Sequence, residues 1–161
     1  MNPPKIQHYI AGQWIEGGGS GEVLHHAITG APVGVHTIEG IDFKLAYDHA
    51  RQVGNPKLRR MTFQERGLML KALAMHLTEL KEKFYEVSKA TGATRLDSWI
   101  DIEGGIGNVF ANASLRRQFP DLPYYVDGQM VPLSKGGSFI GHHIMVPKEG
   151  VAVHINAFNF P

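Results

Sequence analysis

The segment from Thr62 to Thr91 constrains the fold more than any other part of this sequence. Its large apolar residues recur at intervals of three and four: Leu70, Leu73, Leu77, Leu80, Phe84 and Val87. This spacing places them along one face of a helix of about eight turns. Thr62 and Glu65 have the capping-box spacing that begins a helix, and Gly92 is suited to end it in a left-handed conformation. A helix this long with one apolar face predicts packing against a second layer.

A second long helix is predicted from Asp97 to about Gln118. Its apolar residues again recur at helical spacing: Trp99, Ile102, Ile106, Val109, Phe110 and Ala113. Gly104, Gly105 and Gly107 lie inside it, although each glycine costs a helix about 1 kcal/mol relative to alanine. We expect these glycines to admit the close approach of another backbone, and the alternative is a ligand contact at a bend.

The residues ahead of the first long helix predict short strands and one short helix. We expect strands at 9–15 and 33–38, where β-branched and aromatic residues are bounded by turn residues. A helix is expected at 42–53, with Asp42 as its cap, and the Gly-Asn-Pro at 54–56 is expected to stop it.

The residues after Pro120 predict strands, and the last of them indicates a larger sheet. Asp127-Gly128 is a hairpin turn signal, and 138–146 is a further strand candidate. The continuous apolar run 151–155 is typical of a strand buried on both faces in a parallel sheet. Such a strand needs a crossover to its neighbour, and no helix follows it here. We therefore expect the sequence to be truncated within its fold.

The composition excludes several classes of function. The 161 residues include no cysteine, which rules out a disulfide framework, a thiolate zinc site and a cysteine nucleophile within this sequence. The net charge is +1, so neither nucleic acid nor an anionic membrane is expected as a partner. No apolar run approaches the roughly 20 residues that span a bilayer. The N-terminus lacks the apolar core of a signal peptide, so the expected location is cytoplasmic.

Histidines and carboxylates suggest metal or acid–base chemistry, but their spacing favours neither. The adjacent histidine pairs at 25–26 and 142–143 point to opposite faces of a strand, so no metal site is expected. Asp97, Asp101 and Glu103 lie near a helix start. Carboxylates in that position are usually partners of the helix dipole, which makes paired acid–base catalysis the weaker interpretation.

Asn159 follows the apolar run and is the one residue whose chemistry stands out. An asparagine amide held just past a buried strand is a fixed hydrogen-bond donor, and such a donor can stabilise a developing oxyanion in a water-poor cleft. Clefts in open α/β sheets lie at the carboxyl ends of the strands. A cap on the next structural element explains the same position equally well, and spacing alone leaves both interpretations open.

The end of the sequence resembles the aldehyde dehydrogenase superfamily. Residues 147–153 followed by Asn-Phe-Pro at 159–161 are similar to the family's turn, short apolar strand and Pro-Trp-Asn-Phe-Pro motif. The helix at 62–92 resembles the family's long N-terminal helix, and 11–14 resembles its opening strand. The resemblance implies an α/β fold, in which long helices surround the first strand of a Rossmann-like cofactor domain beside part of an oligomerisation sheet.

Distinctive segments at 91–107, 133–137 and 154–161 narrow the resemblance to one branch of the family. In that branch, which serves phenylacetate degradation, the dehydrogenase is joined to a hydratase domain of the hot-dog fold. The dehydrogenase oxidises a CoA-linked semialdehyde with NADP. The resemblance therefore implies NADP (or NAD) as cofactor and a CoA-linked aldehyde as substrate, and it allows a fused C-terminal hydratase domain.

The resemblance also implies an organisation and a set of site residues. Residues 1–123 would be the strands and helices around the cofactor domain, 124–148 a hairpin of the oligomerisation sheet, and 149–161 the first cofactor-binding strand. A homo-oligomer through 124–146 is implied. Asn159 matches the family's oxyanion-binding asparagine. The stretch that runs beside the cofactor in the family matches Ile155, Asn156, Ala157 and Phe158, although Ala157 and Phe158 replace its usual Pro-Trp.

Two other functions compete with this one. A non-catalytic oligomerisation or binding module could retain the same fold. An aldehyde dehydrogenase of another substrate branch, such as one acting on dehydroadipyl-CoA semialdehyde, could carry the same segments. In the first case the family's catalytic cysteine would be missing from the whole protein. In either enzymatic case the sequence as it stands is expected to be inactive alone.

Overall fold

The computed structural model of the chain describes residues 3–156, which form three hairpins and a layer of helices. The strands are β1 (Gln7–Ile10), β2 (Gln13–Glu16), β3 (Glu22–His25), β4 (Pro32–His36), β5 (Tyr125–Pro132) and β6 (Ile140–Met145). The helices are α1 (Phe43–His49), α2 (Asn55–Arg60), α3 (Phe63–Ser88) and α4 (Arg95–Ser114). A π-helical turn (Ala50–Gly54) joins α1 to α2, and short 3₁₀ turns follow α3 (Lys89–Thr91) and α4 (Leu115–Gln118). The mixed α/β class predicted from the sequence is confirmed.

The ends of the long helices follow local side-chain signals. The Thr62 hydroxyl accepts a hydrogen bond from the Glu65 amide at 3.2 Å, and Glu65 accepts one from the Thr62 amide at 2.8 Å, so the predicted capping box is confirmed. Gly92 ends the helical segment with φ of 83°, also as predicted. The predicted start of α4 at Asp97 was wrong, because a second capping box begins the helix earlier, with Thr94 as cap and Asp97 as its third residue.

Helices α3 and α4 pack along a seam of small and polar side chains. Its buried members are Gly67, Ala74, Tyr85 and Ser88 on α3, and Ser98, Ile106 and Ala113 on α4. The hydroxyls of Ser88 and Ser98 lie 2.8 Å apart within the seam. A Cβ atom at Gly67 would lie 2.6 Å from Arg116 Cβ and 2.9 Å from the Ala113 carbonyl oxygen. The close approach of the two backbones at Gly67 therefore requires a residue without a side chain.

The apolar stripe predicted to be buried on α3 lies instead on the flank of this seam. Val87 is 70% exposed and Leu73 is 46% exposed, whereas Leu77 and Phe84 are half-buried. At about 100° per residue, the buried face of α3 lies roughly a quarter of a turn away from the stripe. The prediction of a helix was correct and that of its buried face was wrong, since small residues allow the closer contact between the helices.

A polar network links the C-terminal end of α3 to the first half of α4. Tyr85 is 2% exposed, and its hydroxyl donates a hydrogen bond to Glu103 Oε1 at 2.9 Å. Lys81 Nζ lies 3.2 Å from the same oxygen, and the Arg95 guanidinium stacks 3.7 Å from the centre of the Tyr85 ring. Hydrogen bonds from Tyr85 and Lys81 lower the pKa of Glu103 below its usual value. Burial, together with the hydrogen bond to Glu103, raises the pKa of Tyr85.

Glu103→Gln should remove a pH-dependent part of the stability of the chain. Because folding lowers the pKa of Glu103, its contribution is present above the unfolded-state pKa and is lost as the pH falls through the folded-state value. Urea unfolding should show wild type more stable than the variant at neutral pH, with the difference vanishing in acid. Glu86→Gln, in an exposed pair with Lys89, is the control and should show little effect at any pH. A wild-type advantage that persists in acid would contradict this assignment.

The short helical region does not stop where the sequence predicted. Asp42 caps α1 through the Leu45 amide, as expected. The chain then continues through the π-helical turn into α2, so the prediction that 54–56 ends the helix was wrong. Pro56 lies in the first turn of α2, directly after the π-helical turn, and proline is tolerated in the first turn of an α-helix. The helical region ends at Met61, whose backbone is extended.

The strands pair as antiparallel hairpins, β1 with β2, β3 with β4 and β5 with β6. The predicted single strand at 9–15 is instead part of the first hairpin, since Ala11 and Gly12 take positive φ values and reverse the chain. Asp127-Gly128 is not a hairpin turn. It lies inside β5, where the register shifts between Asp127 and Val131, and the chain reverses between β5 and β6 at 133–139. The positive φ of Gly128 suits a bulge as well as a turn.

Two further expectations differ from the structure. Residues 151–156 form no strand, and Val153 and Ile155 are 79% and 92% exposed. A strand requires a neighbour to accept its backbone hydrogen bonds, and the part of the chain that the structure describes places none beside this segment. A Cβ atom on any of the glycines at 104, 105 and 107 would meet no described residue of another element within 4 Å. The expected close approach of another backbone is therefore not found there.

Candidate functional site

The candidate site residues lie at and beyond the end of the described part of the chain. Ile155 and Asn156 belong to the irregular segment 151–156, and both are exposed. Ala157, Phe158 and Asn159, the other three predicted site residues, lie outside the described residues. The structure thus describes two of the five predicted site residues and the chain that precedes them.

Helix α2 contacts the chain just before this segment. Asn55 Nδ2 donates a hydrogen bond to the Lys148 carbonyl oxygen at 3.2 Å, and a guanidinium nitrogen of Arg59 lies 3.7 Å from a carboxylate oxygen of Glu149. A cleft of about 540 Å³ separates the segment from the π-helical turn and α2, and Leu58 and Val151 are among its lining residues. The helical region, which was predicted from the sequence to end at residue 54, therefore contacts the chain at residues 148–149, just ahead of the predicted site residues.

The role of α2 was missed in the sequence, because the local signal there pointed to a turn. Asn55 precedes Pro56, and an asparagine before a proline is typical of a turn, which led to the prediction that the helix stops. Its side-chain amide instead binds the backbone 93 residues away in the sequence. A contact at that separation leaves no periodic trace by which it could have been found.

The chemistry available within residues 151–156 is limited to hydrogen bonding and apolar contact. Ile155 presents an uncovered apolar side chain, and Asn156 presents an uncovered amide. An amide stabilises an oxyanion strongly where water is excluded, and the surroundings of Asn156 in the described part do not exclude it. The oxyanion role of Asn159 and the cofactor contacts of 155–158 remain predictions.

Several of the nine histidines make hydrogen bonds to backbone groups. His8 Nε2 lies 2.7 Å from the Thr37 carbonyl oxygen, and His25 Nδ1 lies 2.9 Å from that of Gly30. His26 Nδ1 accepts a hydrogen bond from the Ile28 amide at 3.2 Å. Within residues 3–156, no three histidine or carboxylate side chains are grouped as a metal would require.

The acidic residues near the start of α4 act separately. Asp97 completes the capping box with Thr94, whereas Glu103 is bound by Tyr85 and Lys81. A carboxyl group whose pKa is lowered stays ionised near neutral pH and is a poor proton donor. Asp101 lines a separate groove between the two helices. The arrangement supports the structural interpretation of this cluster over paired acid–base catalysis.

Among the helices that the structure describes, none combines the length and the apolar character needed to cross a membrane.

Comparison with known proteins identifies relatives along nearly the whole chain. The sequence profile of the aldehyde dehydrogenase family matches residues 14–161. A 3,4-dehydroadipyl-CoA semialdehyde dehydrogenase from Aromatoleum evansii is 36% identical over 158 residues. That alignment covers 98% of this chain and 31% of the relative, so the chain spans about a third of the length of the curated relative that it matches.

Proposed function

The chain belongs to the aldehyde dehydrogenase family, and from this premise we propose that it is part of an enzyme that oxidises a CoA-linked semialdehyde to the acid with NAD(P). The observation that carries the proposal is the 36% identity to a CoA-semialdehyde dehydrogenase over 98% of the chain. The family resemblance of residues 154–161 supports the same reaction class, because it includes the asparagine matched to the oxyanion site.

The cofactor would lie beside residues 155–158. The uncovered apolar side chain of Ile155 fits contact with a ring of the cofactor, since no described residue packs over it. NAD(P), when bound, accepts the hydride released by the aldehyde. Asn159 would donate its amide hydrogen bond to the oxygen of the reacting carbonyl as that oxygen gains charge. NADP is proposed over NAD on the branch resemblance.

Two substrate branches remain candidates for the whole protein. The segments at 91–107 and 133–137 favour the phenylacetate branch, with a hydratase domain fused after the dehydrogenase. The name of the relative favours 3,4-dehydroadipyl-CoA semialdehyde. Assay of the enzyme that contains this chain, with both CoA semialdehydes and with NAD and NADP, would separate the branches by their kcat/KM values. Failure to oxidise either aldehyde would contradict the proposed function.

The 161-residue chain by itself should have no aldehyde dehydrogenase activity. It contains no cysteine, so the covalent thiohemiacetal of the family mechanism has no thiolate from which to form. We expect turnover of a semialdehyde with NADP to equal that of a denatured control. Activity above that control would contradict the assignment of the nucleophile to another part of the enzyme.

A non-catalytic module of the same fold is the alternative function. The coding sequence that follows codon 161 distinguishes the two, since the enzyme requires a cysteine and a general-base carboxylate downstream. A stop codon at that point in the gene would favour the module.

The hairpin of β5 and β6 is proposed to pair with a second copy of the protein. Its exposed apolar residues include Val131, Phe139, Ile140, Ile144 and Met145. An uncovered hairpin of this kind offers both apolar surface and free strand edges. We expect the enzyme to sediment as an oligomer, and Ile140→Lys/Ile144→Lys to shift it toward the monomer. A monomeric wild-type enzyme would contradict the proposal.

A further inference from the structure

We infer that the paired clefts between α2 and the exit of β6 bind the phosphate groups of the CoA carrier; this inference rests on the proposed CoA-linked substrate. One cleft, of about 370 Å³, lies between α2, the start of α3 and residues 145–148. The other, of about 400 Å³, lies between α2, residues 123–124 and residues 146–147. Arg59, Val146 and Pro147 line both, so the two clefts adjoin each other.

Positive charge is concentrated at these clefts. Arg59, Arg66 and Lys148 line the first, and Arg59 and Arg60 line the second, whereas no carboxylate among the described residues lines either. The chain as a whole carries a net charge of only +1. Four cationic side chains from three separate segments therefore make the clefts much more positive than the chain as a whole. Such a cluster attracts a ligand that carries several negative charges.

The four cationic side chains differ in whether other groups of the chain already bind them. Arg66 donates hydrogen bonds to the carbonyl oxygens of Met61 and Leu58, at 2.9 and 3.4 Å, and therefore serves the end of α2. Arg59 pairs loosely with Glu149 at 3.7 Å. The side chains of Arg60 and Lys148 pair with no carboxylate in the part of the chain that the structure describes. These two charges are the ones available to phosphate oxygens.

The walls of the clefts suit the rest of an adenosine nucleotide. Leu58 lines the first cleft, and Tyr124, Pro123 and Pro56 line the second. Aromatic and proline faces beside arginines are the surfaces on which a purine ring stacks while its phosphates are bound. CoA carries an adenine, a pyrophosphate and a ribose phosphate at the end opposite to its thioester. The clefts can therefore hold the carrier while the aldehyde lies elsewhere.

The clefts are also connected to the chain that leads to the candidate site. Lys148 lines the first cleft, and its carbonyl oxygen accepts the hydrogen bond from Asn55. Ile155 lies seven positions further along the chain, a distance that an extended chain spans in at most about 25 Å. A carrier bound at the clefts has its long pantetheine arm available to cover such a distance.

The shared chemistry, an adenosine with a pyrophosphate and a ribose phosphate, occurs in both CoA and NADP. The test uses the enzyme that contains this chain and the double variant Arg60→Glu/Lys148→Glu. The matched control is Lys83→Glu/Arg117→Glu, which makes the same charge change at two exposed positions that line neither cleft. Arg60→Gln/Lys148→Gln repeats the test without introducing negative charge.

We expect the cleft variants to raise the KM for a CoA-linked semialdehyde about tenfold or more at low salt, because they remove charge-assisted hydrogen bonds to the phosphate oxygens. The kcat, the KM for NADP and the KM for a CoA-free semialdehyde should match the control. An unchanged KM for the CoA-linked substrate in both cleft variants would overturn the inference. A rise in the KM for NADP instead would assign the clefts to the cofactor and overturn it as well.

Inhibition by free CoA separates this inference from the proposed function. If the enzyme oxidises only CoA-free aldehydes, the proposed substrate is wrong, and competition by free CoA then reports on the clefts directly. If free CoA inhibits the cleft variants less than wild type and inhibits the control variant as strongly as wild type, the result would support the phosphate site. Equal inhibition of all variants would overturn it.

Discussion

Replacing Asn159 with alanine should lower the turnover number of the enzyme that contains this chain by about 10²–10³, as loss of one oxyanion donor does. The expectation follows from the proposed function, in which the Asn159 amide is the donor that meets the developing charge. The affinity for NADP should stay nearly unchanged, because the lost hydrogen bond forms to the reacting oxygen. Steady-state and single-turnover kinetics with the preferred semialdehyde would measure both quantities.

Asn156→Ala provides the matched comparison for this prediction. It removes the same amide three residues earlier, from the stretch proposed to run beside the cofactor. We expect it to act mainly on the KM for NADP and to leave the chemical step close to wild type. If Asn159→Ala has an unchanged turnover number in an assay limited by chemistry, Asn159 is a structural cap and the oxyanion assignment fails.

Gly67→Val should destabilise the chain by about 3 kcal/mol, at the upper end of the usual cost of overpacking a filled site. A Cβ at this position would lie 2.6 Å from Arg116 Cβ and 2.9 Å from the Ala113 carbonyl oxygen. Neither atom is the free end of a flexible side chain, so the helices would have to move apart. Urea unfolding followed by the helical circular dichroism signal would measure the loss in the free energy of unfolding.

Alanine at two glycines provides the control for this prediction. In a helix interior, glycine to alanine ordinarily adds about 1 kcal/mol of stability. Gly104→Ala should show this gain, since no described residue of another element lies within 4 Å of its Cβ position. Gly67→Ala should instead lower the stability, because the same methyl group meets the seam. If Gly67→Ala and Gly104→Ala change the free energy of unfolding equally, α3 and α4 do not pack in solution as described.

Local signals in the sequence were good predictors wherever the stabilising contact is itself local. The capping box of Thr62 with Glu65 joins residues three apart, and the left-handed Gly92 depends on its own φ. Asp42 caps α1 for the same reason. These features could be predicted without the structure because the residues that form each of them are close in the sequence.

Local signals failed where a residue suits two conformations. Pro56 can stop a helix or begin one, and Asp127-Gly128 can form a turn or a bulge. In both cases the outcome depends on what the neighbouring elements require. The predicted strand at 151–155 failed for a related reason, because a strand exists only with a partner, and the described part of the chain supplies none beside it.

By itself, the sequence determined the two long helices, the capped start of the first, the mixed α/β class and the membership of the aldehyde dehydrogenase family. Periodicity, capping pairs and motifs are properties of residues close together in the chain, so they can be read directly. Only the tertiary structure decided that α3 buries its small residues and leaves Val87 exposed, and that Glu103 meets Tyr85. It alone brought Arg60 and Lys148 to adjoining clefts. Each of these joins segments distant in the chain, and which surfaces meet depends on how closely whole helices and hairpins can pack.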